Sequence, residues 1–155
     1  MANDKRFRIS IADQQNRLRV DRRWLRQLVQ SVLQREKVAR AAIGIALVDN
    51  AIIAQLNQRY LGHRGPTDVL AFPMSDPGQP LAGEIVVSTE MAQEYACRYG
   101  HSPLDETGLY VIHGLLHLCG YDDRRSEDRR RMQRRQLWHA RFLGLRLRWQ
   151  PIRRQ

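Results

Sequence analysis

The stretch His113-Gly114-Leu115-Leu116-His117-Leu118-Cys119-Gly120-Tyr121-Asp122-Asp123 decides how this chain of 155 residues is read. From Leu109 to Leu118 the residues are apolar nearly all round a helical projection, the pattern of a helix buried at the centre of a domain. Two imidazoles interrupt it four positions apart, one above the other on a single face. Their ring nitrogens can share one cation, for which imidazole–zinc distances run about 2.0–2.1 Å. Gly120 stands where a glycine lets a helix stop and the chain reverse. That reversal can carry Asp122 or Asp123 back toward the histidines. Cys119, two residues past His117 and so roughly 200° round the helix, points elsewhere and reads as a small buried hydrophobe. One buried histidine is an ordinary core residue. Two at this spacing, each needing a polar partner and followed by a glycine stop and a carboxylate pair, read as a metal site. Gly114 occupies the position where zinc peptidases of the H-E-x-x-H type carry their general base, which argues against proteolysis.

Outward from this helix the chain alternates strands and helices. Phe7-Arg8-Ile9-Ser10-Ile11 has the alternation of a half-buried strand. Asp21 is placed to cap a helix in which Trp24, Leu25, Leu28, Val29, Val32 and Leu33 share a face. Ala42 to Val48 reads as a second strand, followed by a helix bearing Ile52, Ile53, Leu56 and Tyr60. Asp68 to Phe72 is a third strand and Glu84 to Val87 a fourth, separated by the turn-rich stretch from Pro73 to Pro80. Ser88 caps the next helix. Pro103 opens the histidine helix, where its missing N–H costs little, and Ser126 opens a last, arginine-studded helix reaching about Leu143. The order β-α-β-α-β-β-α-α-α predicts an α/β fold: one domain spanning 1–155, with a small mixed sheet of about four strands, about five helices, and the histidine helix buried at its centre. A basic helix and tail, ending Gln150-Pro151-Ile152-Arg153-Arg154-Gln155, begin at about residue 124.

Composition fits a globular protein of this size, with 43% hydrophobic residues. No apolar run is long enough to cross a bilayer, and the N-terminus lacks a signal-peptide core. Cys97 and Cys119 make no disulfide framework, so a reducing cytoplasm is the expected compartment. The net charge is +10, and of 26 basic residues only Lys5 and Lys37 are lysines. Arginine offers a planar fork for phosphate oxygens and a flat face for bases. From Arg124 onward 12 arginines face only Glu127 and Asp128, which points to a polyanionic partner, nucleic acid above all. Within the last helix Arg130, Arg131, Arg134 and Arg135 are the candidates to follow a phosphate backbone.

The central string resembles the signature His-Gly-x-Leu-His-Leu-x-Gly-Tyr-Asp-His of the YbeY endoribonucleases, matching it through Asp122. Asn57-Gln58-Arg59-Tyr60 with Pro66-Thr67-Asp68-Val69-Leu70-Ala71-Phe72-Pro73 is similar to the family's N-x-x-Y-R…P-T-D-V-L-S-F-P. Gly83-Glu84-Ile85-Val86-Val87-Ser88 is similar to its G-D-I-V-I-S. Order and spacing agree over roughly residues 40 to 140. The resemblance implies a metal-dependent endoribonuclease of single-stranded RNA, with one Zn2+ per chain. It also implies roles in 16S ribosomal RNA 3′-end processing and ribosome quality control, with ribosomal RNA and the small subunit as partners and no membrane. The third metal-binding histidine of the family aligns with Asp123, so the implied ligands are His113, His117 and Asp123. An aspartate ligand offsets part of the metal charge and should acidify a bound water less than a third imidazole would.

Leu61 stands where the family has an arginine thought to act on RNA; Arg59, Arg64 and His63 are the nearby substitutes. Asp122, Asp68 and metal hydroxide are the candidates for general base. Asp122 also suits a turn after Gly120, and Thr67 and Asp68 suit a turn before a strand. Ser88 suits a helix cap better than a nucleophile. Two rival readings stand beside the endoribonuclease one, the first resting on Asp123 and Leu61 and the second disfavoured for peptide substrates by Gly114. One is a non-catalytic RNA-binding ribosome-assembly factor with a weakened metal site. The other is a metal-dependent hydrolase of another substrate.

Overall fold

The computed structural model describes residues 4–148, so the tail from Gln150 to Gln155 lies outside the described residues. Nine elements follow one another among them: β1 (Phe7–Asp13), α1 (Arg22–Arg35), β2 (Ala41–Val48), α2 (Asn50–Leu61), β3 (Val69–Pro73), β4 (Leu81–Ser88), α3 (Thr89–Tyr99), α4 (Pro103–Leu118) and α5 (Ser126–Phe142). The order matches the expectation element for element. Each of the first four helices begins at a side chain that accepts an otherwise orphaned backbone N–H. Asp21 takes that of Arg23, Asp49 that of Ile52, Ser88 that of Met91, and Ser102 those of Leu104 and Asp105. The Ser88 hydroxyl donates in turn to Asn50 Oδ1 at 2.6 Å, so it serves structure at both ends.

The four strands form one mixed sheet in the order β1-β2-β4-β3. β1, β2 and β4 are parallel, and β3 returns antiparallel along the outer side of β4. β4 starts at Leu81, three residues before the stretch that alternation alone marks as strand. Pairing of Leu81, Ala82 and Gly83 with Ala41, Ala42 and Ile43 extends it, a long-range effect that local pattern does not carry.

The larger core lies on one face of the sheet, where α1 and α4 pack; a smaller one, built on Val48, Ile53, Leu70 and Val86, joins α2 to the other face. α4 is buried on nearly all sides: Tyr110, Val111, Ile112, Leu115 and Leu116 are each no more than 1% exposed. Two glycines let it approach β4 closely. A Cβ on Gly114 would stand 2.8 Å from Ile85 Cγ2, and one on Gly83 would stand 2.6 Å from Leu118 Cδ2. The position between the two histidines is therefore pressed against the sheet, with no room for the glutamate of a zinc peptidase.

This contact sets a stability prediction. Gly114→Ala should cost about 1–3 kcal/mol by overpacking, read by urea denaturation. In an Ile85→Ala background the same change should cost less, so the double variant is more stable than the sum of the single losses.

Candidate metal centre

His113 and His117 lie one turn apart on α4, on the stripe beside the one that meets β4. Their Nε2 atoms are 3.0 Å apart, with ring planes inclined by 74°. After Leu118 the helix ends in a Schellman turn: Gly120 N–H donates to His117 O and Tyr121 N–H to Leu116 O, both at 3.0 Å. Gly120 has φ +102°, a conformation open to glycine and costly to most other residues. Asp122 then folds the reversed chain, its Oδ1 accepting from the backbone N–H of Asp123 at 2.7 Å and of Arg124 at 3.2 Å. Asp123 is thereby delivered to the histidines. Its Oδ2 stands 3.4 Å from His117 Nε2 and 3.8 Å from His113 Nε2.

His113, His117 and Asp123 each offer a donor atom within 4.8 Å of the other two, an arrangement able to hold a metal ion. The edge of a tetrahedron with bonds of 2.0–2.1 Å is about 3.4 Å, close to the separations seen. The chemistry of the donors fits as well. His113 Nδ1 meets Gln136 Oε1, an atom that can only accept, so Nδ1 carries the proton and Nε2 is left bare. Burial, then the neighbouring His117, hold His113 below the ordinary imidazole value, against the raising influence of Gln136, Asp68 and Asp123. It is neutral at pH 7, the form that ligates. A shared cation would satisfy both Nε2 atoms and the carboxylate at once. Side-chain exposure rises from 16% at His113 to 29% at His117 and Asp123, so the centre opens to solvent on their side.

Comparison with known proteins gives the family. The family model described as Endoribonuclease YbeY matches residues 10–143. The chain belongs to the YbeY endoribonuclease family. A Sulfurovum protein named Endoribonuclease YbeY is 39% identical over 132 residues, covering 81% of this chain and 85% of the relative. One from Carboxydothermus hydrogenoformans is 38% identical over 138 residues, covering 87% of this chain and 96% of the relative. Among solved structures, a Thermotoga maritima protein determined in solution superposes with a TM-score of 0.62 at 27% identity, covering 88% of both chains. Membership of the YbeY family supports a nuclease that acts on RNA.

The other sequence candidates of this YbeY-family chain lie at the end of α2, in the loop before β3, in the turn after α4 and on α5. Asp68 lies close enough for its charge to act on His113, while its Oδ1 accepts from Val69 N–H at 2.8 Å and Thr67 Oγ1 at 3.2 Å. Asp122 is exposed and outside the cluster of donor atoms. Arg59, Leu61, His63 and Arg64 are exposed at the end of α2 and in the loop after it. Buried Asn57 pins that loop by donating from Nδ2 to Gly65 O at 3.0 Å. Arg130, Arg131 and Arg134 are exposed on α5, whereas Arg135 is half-buried and donates from Nε to Glu36 Oε2 at 2.7 Å.

Two residues that support the centre were not evident from sequence. Gln136 had one signal: it sits four positions after Met132 on the buried stripe of α5, a polar residue at an apolar position. Glu36 had none, since it follows α1 in a polar run. Its nearly buried carboxylate, 7% exposed, also accepts from His139 Nε2 at 2.7 Å and Tyr121 Oη at 2.9 Å. It thus ties the end of α1 to the ligand-bearing turn and to α5. Burial pushes the Glu36 carboxyl up, but hydrogen bonds from Arg135, His139 and Tyr121 outweigh it and leave the group below the usual carboxylate value. Burial holds His139 below the ordinary imidazole value.

A depressed folded-state pKa contributes stability that is complete above the ordinary carboxylate value and is lost as pH falls from there through the depressed one. Glu36→Ala should cost about 2–3 kcal/mol at pH 7, and the gap to wild type should shrink on acidification below about pH 4, read by denaturation at each pH. The cysteines give a second check. Burial, then Glu36, push the Cys119 thiol up to about 12, whereas Cys97 is exposed. A thiol reagent at pH 8 should modify Cys97 rapidly and Cys119 only after unfolding.

Proposed function

We propose that this chain is a metal-dependent endoribonuclease that cuts single-stranded RNA during ribosomal RNA maturation. Its site of action is the 3′ end of 16S ribosomal RNA, with a further part in ribosome quality control. One Zn2+ is held by His113, His117 and Asp123, and the protein works in the cytoplasm on RNA of the small ribosomal subunit. The observation that carries this reading is the convergence of the three donor atoms, with Gln136 fixing the ligating tautomer of His113. Family membership supports the substrate class.

A bound Zn2+ at such a site supplies Lewis acidity toward a phosphoryl oxygen and lowers the pKa of water. The chain's own residues do the rest. Asp68, the carboxylate whose charge reaches His113, is the favoured acceptor for the proton of an attacking hydroxyl. Asp122 is held by turn bonds on Oδ1, which favours its role in shaping the ligand turn. Arg59 and Arg64, exposed beyond α2, supply positive charge for the scissile strand where the family's arginine is replaced by Leu61. Arg130, Arg131, Arg134 and Arg135 extend that field along α5.

Elemental analysis of untagged protein should find near one zinc per chain, lost in His117→Ala and in Asp123→Ala. Single-stranded RNA cleavage should vanish in His113→Ala. Competition with a chelator should show zinc held about tenfold or more weakly in Gln136→Met, and restored in Gln136→Glu, which keeps an acceptor oxygen. Absence of zinc from wild type even after reconstitution would favour the second reading, an RNA-binding ribosome-assembly factor; Asp123 in place of the family's histidine is the feature behind it.

A further inference from the structure

The exposed side of α5 carries a ladder of rings and guanidiniums. The Arg35 guanidinium, from the last turn of α1, is wedged between Trp138 and Phe142, 3.6 Å and 3.7 Å from their ring centroids. Arg135 lies 3.9 Å from the Trp138 centroid. One turn earlier Arg131 lies 5.5 Å from the Tyr121 ring. Positions 131, 135, 138 and 142 form one stripe of the helix, running about 16 Å. Its near end is tied to the metal centre twice. Tyr121 is two residues from Asp123, and Gln136, the neighbour of Arg135, touches His113.

Both rings remain open despite the stacking, with Trp138 41% and Phe142 62% exposed. Exposed aromatic rings of this size are unusual on a helix already studded with charge. Neither Arg35 nor Arg131 is paired with a carboxylate among the described residues. Arg35 Nε is buried without a hydrogen-bond acceptor, and the two rings hold the guanidinium between them. Stacking covers a guanidinium's flat face and leaves its in-plane N–H donors for an anion. The rings meanwhile fix side chains that would otherwise lose rotamer entropy on binding. A row of oriented forks beside open aromatic faces matches a chain of alternating phosphates and bases. An apolar partner would instead meet fixed positive charge.

We infer that this ladder, Arg131–Arg135–Trp138–Phe142 with Arg35 wedged into it, is the track along which single-stranded RNA leaves the metal centre. The inference rests on the RNA reading above and adds to it a surface and a direction. Phosphates take the terminal Nη donors of Arg35 and the edge of Arg131, and a base stacks on the open face of Phe142.

The test is fluorescence anisotropy of a labelled single-stranded oligoribonucleotide across a salt series, with cleavage measured in parallel. Phe142→Ala should weaken binding about fivefold or more. Arg35→Gln/Arg131→Gln should weaken it and lower the slope of log affinity against log salt by about 1.4, two phosphate contacts' worth for a single strand. Arg8→Gln/Arg23→Gln, which removes the same charge from exposed positions elsewhere, should leave affinity within about twofold. His117→Ala should fail to cut RNA, and adding Phe142→Ala to it should weaken its binding as it weakens that of wild type. Thermal melts confirm that each variant is folded. Ladder variants that bind like wild type, or a charge-matched control that loses as much, overturn this inference alone if wild type still cleaves RNA. A wild-type protein that binds no single-stranded RNA overturns both this inference and the nuclease reading. A dimer in sedimentation that Phe142→Ala converts to monomer, with RNA affinity intact, overturns it by giving the face to a second copy of the chain.

Discussion

The site depends on how closely α4 lies on β4. Gly114 against Ile85, and Leu118 against Gly83, bring the helix to a distance that a side chain at either glycine would prevent. Residues 114 and 118 form the stripe that meets the strand, so 113 and 117 lie on the stripe next to it. That stripe faces past β4 toward β3, the antiparallel edge strand, and this is why Asp68, one residue before β3, acts on His113. The glycine between the histidines is thus a packing residue first. Its chemical consequence, the missing glutamate, follows from the space it leaves.

The second requirement is that distant parts of the chain meet at one carboxylate. Glu36 accepts from the turn after α4 and twice from α5. Removing it would leave Arg135 and His139 facing a buried gap, and it would release Tyr121, whose backbone leads into the candidate ligand Asp123. The polar cluster therefore acts on the metal centre without touching it. It fixes the frame within which Asp122 turns the chain, and so where Asp123 comes to rest.

Much of the fold was legible in the sequence because the responsible physics is local. Caps at Asp21 and Ser88 are read from one side chain and the next three residues, and the structure adds Asp49 and Ser102. The all-round apolar stretch from Leu109 to Leu118 announces burial without reference to any neighbour. The spacing of His113 and His117 places both on one face whatever surrounds the helix. What local pattern does not carry is pairing at a distance. The first residues of β4 become strand through β2, and Glu36 becomes buried through contacts with residues 85 to 103 positions away. Helix geometry alone left Asp122 and Asp123 equivalent, the family resemblance pointed to Asp123, and the turn bonds of Asp122 separate the two in the structure. The ladder on α5 was half visible: its arginines stood out by number, but the ring that Arg35 shares with α5 needed the docking of α1.

The links made by Glu36 also bear on the order in which the protein is synthesised. His113 and His117 leave the ribosome before Gln136 and His139, and the carboxylate that receives His139 was made about a hundred residues earlier. Until the last helix emerges and docks on the end of the first, His113 lacks the acceptor that fixes its tautomer and the turn lacks its anchor. Translation therefore yields His113, His117 and Asp123 well before the helix that completes the candidate centre around them.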